Sequence, residues 1–137
     1  MATNKRNLVM VIGAGRFGSD VASMLCKKHN ETVRIVDKDE NAFGNLDGFS
    51  GYESCFDALD QNDLIDNGIN NTKTIVLATS NDDVNIYLAD VCYHIFEVPS
   101  VYVRLKDSRK AKLLDKNINV ICPFDLTIRD FDEKYEG

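Results

Sequence analysis

The sequence contains no tryptophan, only two prolines, and no C-x-x-C spacing among its four cysteines. Scattered cysteines without the spacing of metal ligands argue against a zinc site or a disulfide framework. We therefore predict no metal site and interpret the cysteines as small buried apolar residues of an intracellular protein. They are Cys26, Cys55, Cys92 and Cys122.

Long apolar runs and excess positive charge are also missing. No run approaches the roughly 20 residues that span a bilayer, and 16 Lys and Arg face 22 Asp and Glu, a formal net charge of −6. This balance argues against nucleic acid as a partner. The N-terminus lacks the apolar segment of a secretory signal. We expect a cytoplasmic protein without direct membrane insertion, which would act at a membrane only through a partner.

The chain of 137 residues is predicted to form one domain, 1–137. Its organising stretch is Val9 to Asp37, where an apolar strand enters a G-x-G-x-x-G turn. A helical pattern follows, and a second apolar strand ends in the acidic Asp37. This combination is the dinucleotide-binding fingerprint in its required context.

Each residue of the fingerprint has a physical reason. Gly13 permits the tight turn, Gly15 lets bare backbone approach a pyrophosphate, and Gly18 lets the helix pack closely on the sheet. The phosphates would lie at the positive end of the helix dipole. Asp37 would accept hydrogen bonds from ribose hydroxyls and disfavour a 2′-phosphate, an exclusion that Lys38 weakens slightly. The alternative is a glycine-rich turn that only joins strand to helix.

Strand and helix patterns continue to alternate along the chain. We predict an α/β fold, a doubly wound (Rossmann-type) parallel sheet of about six strands with helices on both faces. Helices are predicted over about 40–46, 63–69, 85–96 and 109–116, and a further helix starts after Phe124. The later strands are predicted at Tyr52 to Phe56, Thr74 to Thr79, Val101 to Leu105 and Asn119 to Cys122.

Ligands of such sheets bind outside the carboxyl ends of the strands. There, Arg16 can reach a phosphate with its guanidinium, or is an exposed helix-start residue paired with an acid elsewhere. Asp57 and Ala58 end the third strand near the expected adenine position, where an apolar wall and one polar contact suit the base.

The turn after the fourth strand contributes small residues. Ala78, Thr79 and Ser80 would let a ligand lie against the strand end. Asp82 and Asn85 follow them, and these two are interpreted either as site residues or only as helix caps.

These residues together resemble a known family, the N-lobe of regulators of potassium conductance, also called the KTN or TrkA-N domain. The resemblance runs from Val9 to Pro123. Its marks are the glycine motif at 13–18, Asp37, the Asp57-Ala58 pair, the run from Gly68-Ile69 into 78–85, Arg104 with Asp107, and the ending Val120-Ile121-Cys122-Pro123.

The resemblance implies a cytosolic regulatory domain that senses NAD(H), ATP, ADP or AMP and controls a potassium channel or transporter. It also implies homodimers that assemble into rings beneath a membrane pore. In the implied site, glycines and Arg16 hold phosphates, Asp37 the ribose, Asp57 and Ala58 the adenine, and Arg104 lies toward the phosphates. The implied ligand-binding residues are Gly13, Gly15, Arg16, Phe17, Gly18, Asp37, Lys38, Asp57, Ala58, Ala78, Thr79, Ser80, Asn85 and Arg104.

Two departures from the family pattern stand out. Many relatives have glycine where this chain has Phe56, and the family usually continues into a C-terminal lobe after a crossover helix. Residues 124–137 are therefore predicted to start a crossover or dimerisation helix. The chain is either a truncated form or a stand-alone N-lobe.

Two other functions stay open on the sequence. One is a small NAD-dependent oxidoreductase, since Tyr102 to Lys106 matches the Y-x-x-x-K of short-chain reductases. Those enzymes place the pair on one helical face, whereas Val101 to Leu105 has strand composition, and no catalytic residue is predicted. The other is an oligomeric scaffold with an unused nucleotide cleft.

Overall fold

The computed structural model describes residues 5–137; the first four residues, part of the stretch without a predicted secretory signal, lie outside that range. Six parallel strands form one sheet in the order β3-β2-β1-β4-β5-β6, with β1 at the point where the chain reverses its direction of growth. This confirms the predicted doubly wound fold. The strands are β1 Leu8–Ile12, β2 Thr32–Asp37, β3 Tyr52–Cys55, β4 Thr72–Leu77, β5 Ser100–Arg104 and β6 Asn119–Ile121.

Helical segments connect the strands. Four are α-helices, three are 3-10 segments and one is a π-helical turn among residues 5–137. The α-helices are α1 Arg16–Lys27, α2 Gln61–Asp66, α3 Asp82–Asp90 and α4 Pro123–Glu136; the 3-10 segments are Glu40–Asn45, Ile69–Asn71 and Ser108–Leu113, and the π turn is Val91–Ile95.

Two apolar clusters cover the two faces of the sheet. All five residues of β1 are buried, because Val9 and Val11 face the cluster under α1 whereas Met10 and Ile12 face the cluster under α3. A strand buried on both faces is a continuous apolar run in the sequence. This is why β1, and the end of β4 from Ile75 to Leu77, were predictable without alternation.

Four predicted helices differ in the structure. The helix predicted over 40–46 is the 3-10 segment Glu40–Asn45, and the one predicted over 63–69 is α2, Gln61–Asp66, followed by a separate 3-10 segment from Ile69. The helix predicted over 85–96 starts earlier, at Asp82, and changes at Val91 into the π turn, where Phe96 donates to the carbonyl of Val91. The helix predicted over 109–116 is a 3-10 segment that begins after its cap, Asp107. The sequence pattern does not distinguish an α-helix from a 3-10 or π-helical segment, since the spacing of apolar residues is similar in these three helix types.

The cysteines are only partly as predicted. Cys92 and Cys122 are buried, but Cys55 is exposed and Cys26 is half-buried. Burial raises the pKa of the Cys92 thiol to about 12, so that this residue behaves as a small apolar group. The prediction was wrong for Cys55 because β3 is an edge strand with an open side.

The last helix, α4, forms as predicted but buries none of its residues. Phe124, Ile128, Phe131 and Tyr135 are 63%, 53%, 66% and 80% exposed, and they recur at helical spacing along one stripe. Whether this helix mediates a crossover or a dimer stays a prediction. Among residues 5–137, no helix combines the length and apolar character needed to cross a bilayer.

Candidate functional site

The glycine turn joins β1 to α1 at the carboxyl edge of the sheet. Gly13 has φ +105°, a left-handed conformation that favours glycine, and a Cβ there would lie 2.8 Å from the backbone of both Ala78 and Thr79. Its N–H donates to the carbonyl of Val36 at 2.8 Å. Gly13 therefore lets the end of β1 touch the end of β4.

The other two glycines differ in what surrounds them. A Cβ on Gly18 would lie 1.8 Å from the carbonyl oxygen of Gly13, so the helix packs on the turn as closely as predicted. A Cβ on Gly15 would meet no atom within 4 Å, and this residue is exposed. The bare backbone of Gly15 is thus open to an approaching molecule.

Helix α1 begins without a side-chain cap. Its N-cap residue is Gly15, and its first turn contains no acidic residue. By contrast, the carboxylate of Asp60 caps α2, and Asn81 caps α3 by accepting from the N–H of Val84 at 3.1 Å. The free N–H groups and positive dipole end of α1 favour an anion.

Asp37 ends β2 beside this turn. One carboxylate oxygen accepts from the N–H of Ala14 at 2.8 Å, and the other accepts from the N–H of Asp39 at 2.8 Å. Each oxygen keeps a second acceptor position, and the residue is half-exposed. Asp37 therefore fixes the shape of the glycine turn and can still accept a further hydrogen bond, a supporting role that the sequence did not indicate.

A slot of about 120 Å³ opens beside Asp37. Gly13, Asp37, Lys38, Asp57, Ala58 and Thr79 were all predicted for the site, and the structure brings them together here. The apolar walls were missed, although they occupy the carboxyl ends of predicted strands and one face of a predicted helix. The lining residues are Ile12, Gly13, Val36, Asp37, Lys38, Phe56, Asp57, Ala58, Leu59, Thr79, Val84 and Leu88.

Other predicted residues surround the slot without lining it. Arg16 and Ser80 are exposed, and Ala78 is buried behind Gly13 and Gly18. The ion pairs within residues 5–137 involve Lys73, Arg109, Lys110 and Lys134. Within the described part of the chain no acid pairs with Arg16, so the alternative of an Arg16 ion pair is not supported.

Arg104 and Phe17 contact each other on the α1 side of the sheet. The guanidinium carbon lies 5.3 Å from the centre of the Phe17 ring, a cation–π arrangement. The Nε of Arg104 is buried, and within residues 5–137 no acceptor bonds to it. Arg104 therefore supports the first turn of α1 from below, and its remaining donors are not committed to a carboxylate.

Asn85 is neither a cap nor part of the slot wall. It is fully buried, and its Oδ1 accepts from the N–H and hydroxyl of Thr79 at 3.2 and 2.6 Å. Its Nδ2 donates to the carbonyls of Thr79 and Arg104 at 3.0 and 2.9 Å. All four hydrogen-bonding positions of the amide are used, so Asn85 joins the ends of β4 and β5 behind the slot.

Asp82 does not cap α3 either, since the cap is Asn81. Its carboxylate accepts from the N–H groups of Lys106 and Asp107 at 2.8 and 3.0 Å, and so ties the turn after β5 to the start of α3. Hydrogen bonds from the guanidinium and backbone of Arg109 hold the pKa of Asp107 below its ordinary value. The carboxylates of Asp82 and Asp107 are therefore both bound within the protein, Asp82 by backbone N–H groups and Asp107 by Arg109.

The slot, the open glycine turn and the acid of β2 match a family pattern. The model of the TrkA-N domain matches residues 9–123. This chain belongs to the TrkA-N family. The resemblance stated on the sequence is thereby confirmed over almost the same residues.

Named relatives agree with this assignment. The TrkA-N chain is 30% identical over 109 residues to the Trk system potassium uptake protein TrkA of Streptomyces coelicolor, covering 79% of this chain and 48% of that protein. It thus spans about half the length of this relative. Ktr system potassium uptake protein A of Bacillus subtilis is 24% identical over 116 residues, 85% of this chain and 52% of that protein.

Solved structures share the TrkA-N fold. The TrkA-N domain of the inner membrane protein ybaL from Escherichia coli superimposes with a TM-score of 0.81 at 12% identity, over 96% of this chain and 98% of that one. GsuK bound to ADP has a TM-score of 0.80 at 21% identity, over 96% of this chain and 34% of that one. At these identities the likeness concerns the fold.

Proposed function

We propose that this chain is the nucleotide-sensing part of a regulator of a potassium channel or transporter, and that it binds an adenine nucleotide without consuming it. The observation that carries the proposal is the uncapped start of α1 beside an apolar slot, with Asp37 between them. In one nucleotide, the phosphates would bind at the start of α1, the base in the apolar slot, and the ribose at Asp37 between them. The ligand class is NAD(H) or ATP, ADP or AMP.

In this proposal, Gly13, Gly15 and Gly18 shape the phosphate site and Arg16 reaches the distal phosphate. Asp37 and Lys38 contact the ribose, and Asp57 with Ala58 bounds the base. Ala78 and Thr79 form the floor, Ser80 stands at the rim, and Phe17 with Arg104 supports the phosphate side. Asn85 acts behind the floor, since its amide is saturated by the protein.

Binding without turnover is proposed from the chemistry of the slot. Its side chains are mainly aliphatic, with Asp37, Lys38, Asp57 and Thr79 as the polar ones. Tyr102, the tyrosine of the reductase-like pair, lies in β5, whereas such reductases need it on a helix with the lysine. A ligand that is only held can shift an equilibrium by binding one state better than the other.

Replacing Asp37 with asparagine tests the site. We expect adenine nucleotides to bind about tenfold more weakly, because charge-assisted hydrogen bonds to the ribose contribute about 1.5–3 kcal/mol. Isothermal titration calorimetry with ADP measures the change. Glu53→Gln, at an exposed acid on the edge strand β3, removes the same charge outside the slot and should leave the affinity unchanged. Equal affinities of wild type and Asp37→Asn would contradict the assignment.

The same titrations separate the alternative functions. Saturable binding with no change in the nucleotide supports the regulator. Oxidation of NADH at an enzymatic rate with any added carbonyl compound would favour the small oxidoreductase. Failure of all adenine nucleotides to bind would favour the scaffold with an unused cleft.

The relatives' names and the exposed apolar stripe of α4 support a proposal for the partners. We propose a membrane potassium transporter or channel subunit as the partner, with this chain held at the cytoplasmic face of the membrane. We also propose that the chain forms a homodimer, on which a ring can be built. A second apolar surface suits this: a groove on the α1 side of β4 to β6, lined in part by Met24, Val76, Tyr102 and Ile121.

Replacing Phe124 and Phe131 with serine tests the dimer. Both side chains are more than half exposed in one chain, and their burial in an interface would contribute about 1.5–3 kcal/mol each. We expect the double variant to sediment as a monomer while the wild type sediments as a dimer, with unchanged circular dichroism. Thr127→Ser on the same helix serves as the control. A wild-type monomer, or a dimeric variant, would contradict the proposal.

A further inference from the structure

Strand β3 forms one edge of the sheet, because among residues 5–137 it pairs with β2 and with no other strand. Along a strand the backbone N–H and C=O groups of successive residues point alternately to its two sides. The N–H of Phe56, directly after β3, donates to the carbonyl of Asp37 at 3.2 Å and so points toward β2. The backbone polar groups of Glu53 and Cys55 therefore face the open side.

The open side of β3 is accessible. Tyr52, Glu53 and Cys55 are all exposed, and the strand contains neither proline nor a residue with positive φ. Within residues 5–137, no loop or turn forms a backbone hydrogen bond with the outward groups of Glu53 or Cys55. An accessible edge with free backbone groups can accept a further strand from another chain.

An arginine lies beside this edge, on one face of the sheet. Arg34 is the residue of β2 that pairs with Tyr52, and it lies on the α3 side because its partner on β1 is Met10. Its guanidinium carbon lies 5.2 Å from the centre of the Tyr52 ring, and its Nη1 donates to the hydroxyl of Ser54 at 2.6 Å. Two residues of β3 thus hold the guanidinium against the edge strand.

The charge of Arg34 has no counterpart in the described chain. The ion pairs found among residues 5–137 do not include Arg34, and its buried Nε has no acceptor among those residues. A guanidinium presents a planar fork of donors that fits a carboxylate, and the bond to Ser54 leaves most of this fork unused. A buried donor without a partner calls for an explanation, and a carboxylate from outside the described chain supplies one.

The other face of the edge carries the opposite charge. Glu53 pairs in register with Ile35, which belongs to the cluster under α1, so its exposed carboxylate stands on the α1 side. Successive side chains of an added strand would point to opposite faces. The strand that fits has an acidic residue on the α3 side, near Arg34, between two basic residues on the α1 side, near Glu53.

A second copy of the chain does not have this pattern. Pairing of two copies through β3 would bring a second Arg34 to the α3 side and a second Glu53 to the α1 side. Like charges would then lie near each other on both faces, which is unfavourable. Charged residues at an edge strand are a common protection against self-pairing, so the charges favour a different protein as the partner.

We propose that the edge of β3 is an interaction surface for an extended segment of another protein, in which an acidic residue lies between two basic ones. The segment adds to the sheet as a further strand by bonding to the backbone of Glu53 and Cys55, and its carboxylate binds Arg34. None of these three residues lines the slot beside Asp37. The inference is therefore independent of the proposed function.

Titration with synthetic peptides, followed in the amide NMR spectrum of the chain, tests the proposal. The probe is the blocked peptide Thr-Val-Lys-Glu-Lys-Val-Thr, and the control peptide has glutamine in place of the glutamate. We expect saturable binding of the probe, with the largest shifts at the amides of Glu53 and Cys55. The control should bind at least about tenfold more weakly, because a charge-assisted hydrogen bond is lost.

Three results of this titration would overturn the proposal. They are the absence of saturable binding by the probe, equal binding of the two peptides, and the largest shifts at residues away from β3. Shifts of the Glu53 and Cys55 amides that grow with protein concentration when no peptide is present would also overturn it, because they would show pairing between copies.

A proline at Glu53 tests whether the peptide adds as a strand. Glu53→Pro removes an N–H that faces the open side and keeps the pairing with β2, so we expect the probe to bind at least about tenfold more weakly. Glu53→Gln is the matched control, since it removes the same charge but keeps the N–H, and should weaken binding by at most about threefold. A folded Glu53→Pro chain that binds the probe like Glu53→Gln would overturn strand addition.

Replacing Arg34 with glutamine tests the charge. We expect Arg34→Gln to bind the probe and the control peptide equally, whereas Lys112→Gln, at an exposed cation of the 3-10 segment after β5, keeps the difference of about tenfold. A folded Arg34→Gln chain that still distinguishes the two peptides would overturn the role of Arg34. If either β-strand variant fails to fold, the comparison of the two peptides on the wild-type chain still decides the proposal.

Discussion

Replacing Gly18 with alanine is expected to lower the free energy of unfolding by about 3 kcal/mol, the upper part of the range for overpacked sites. The added methyl carbon would start 1.8 Å from the carbonyl oxygen of Gly13 and 3.3 Å from the Cβ of Ala78. Backbone cannot move aside as a side chain can, so α1 must shift away from the turn. Urea unfolding, followed by circular dichroism, measures the loss.

Gly15→Ala is the matched control for this prediction. The same methyl group at Gly15 meets no atom within 4 Å, and the φ of −68° suits alanine. We expect its stability to stay within about 1 kcal/mol of wild type, whereas nucleotide binding weakens, since the methyl group occupies the approach to the turn. If both variants unfold at the same urea concentration as wild type, the close packing of α1 on the turn is refuted.

The part of the fold that was predictable depends on local sequence. The strand at 8–12, the glycine turn and the acid at the end of β2 follow one another within 30 residues, and each is specified by its own residue types. Strand β1 is a continuous apolar run, and β4 ends in one from Ile75 to Leu77, which is the pattern of a sheet covered on both faces. Fold and phosphate turn could therefore be predicted from the sequence.

The supporting contacts were not predictable, because they join distant residues through backbone atoms. Asn85 bonds the carbonyl of Arg104, 19 positions later, and Asp82 bonds N–H groups 24 and 25 positions later. Asparagine and aspartate after a strand are usual helix caps, and here Asn81 alone of the three caps α3. Residue type cannot show which of several neighbouring polar side chains meets a distant strand.

Asn85→Ala is expected to destabilise the protein by about 3 kcal/mol. The substitution removes the fully buried Asn85 amide, so the N–H of Thr79 and the carbonyl of Arg104 lose their hydrogen-bond partner. An unsatisfied buried group costs about 1–3 kcal/mol of stability. Asn81→Ala provides the comparison on the same helix, because it removes a single exposed cap bond that contributes about 1 kcal/mol. Urea unfolding of both variants measures the difference.

The alanine variant should also bind ADP more weakly, because Asn85 holds the ends of β4 and β5 together behind the slot. AMP binding should weaken to a similar extent, since Asn85 itself is not expected to contact either nucleotide. Losses of stability that are equal in the two variants would contradict the role of Asn85 in joining the ends of β4 and β5.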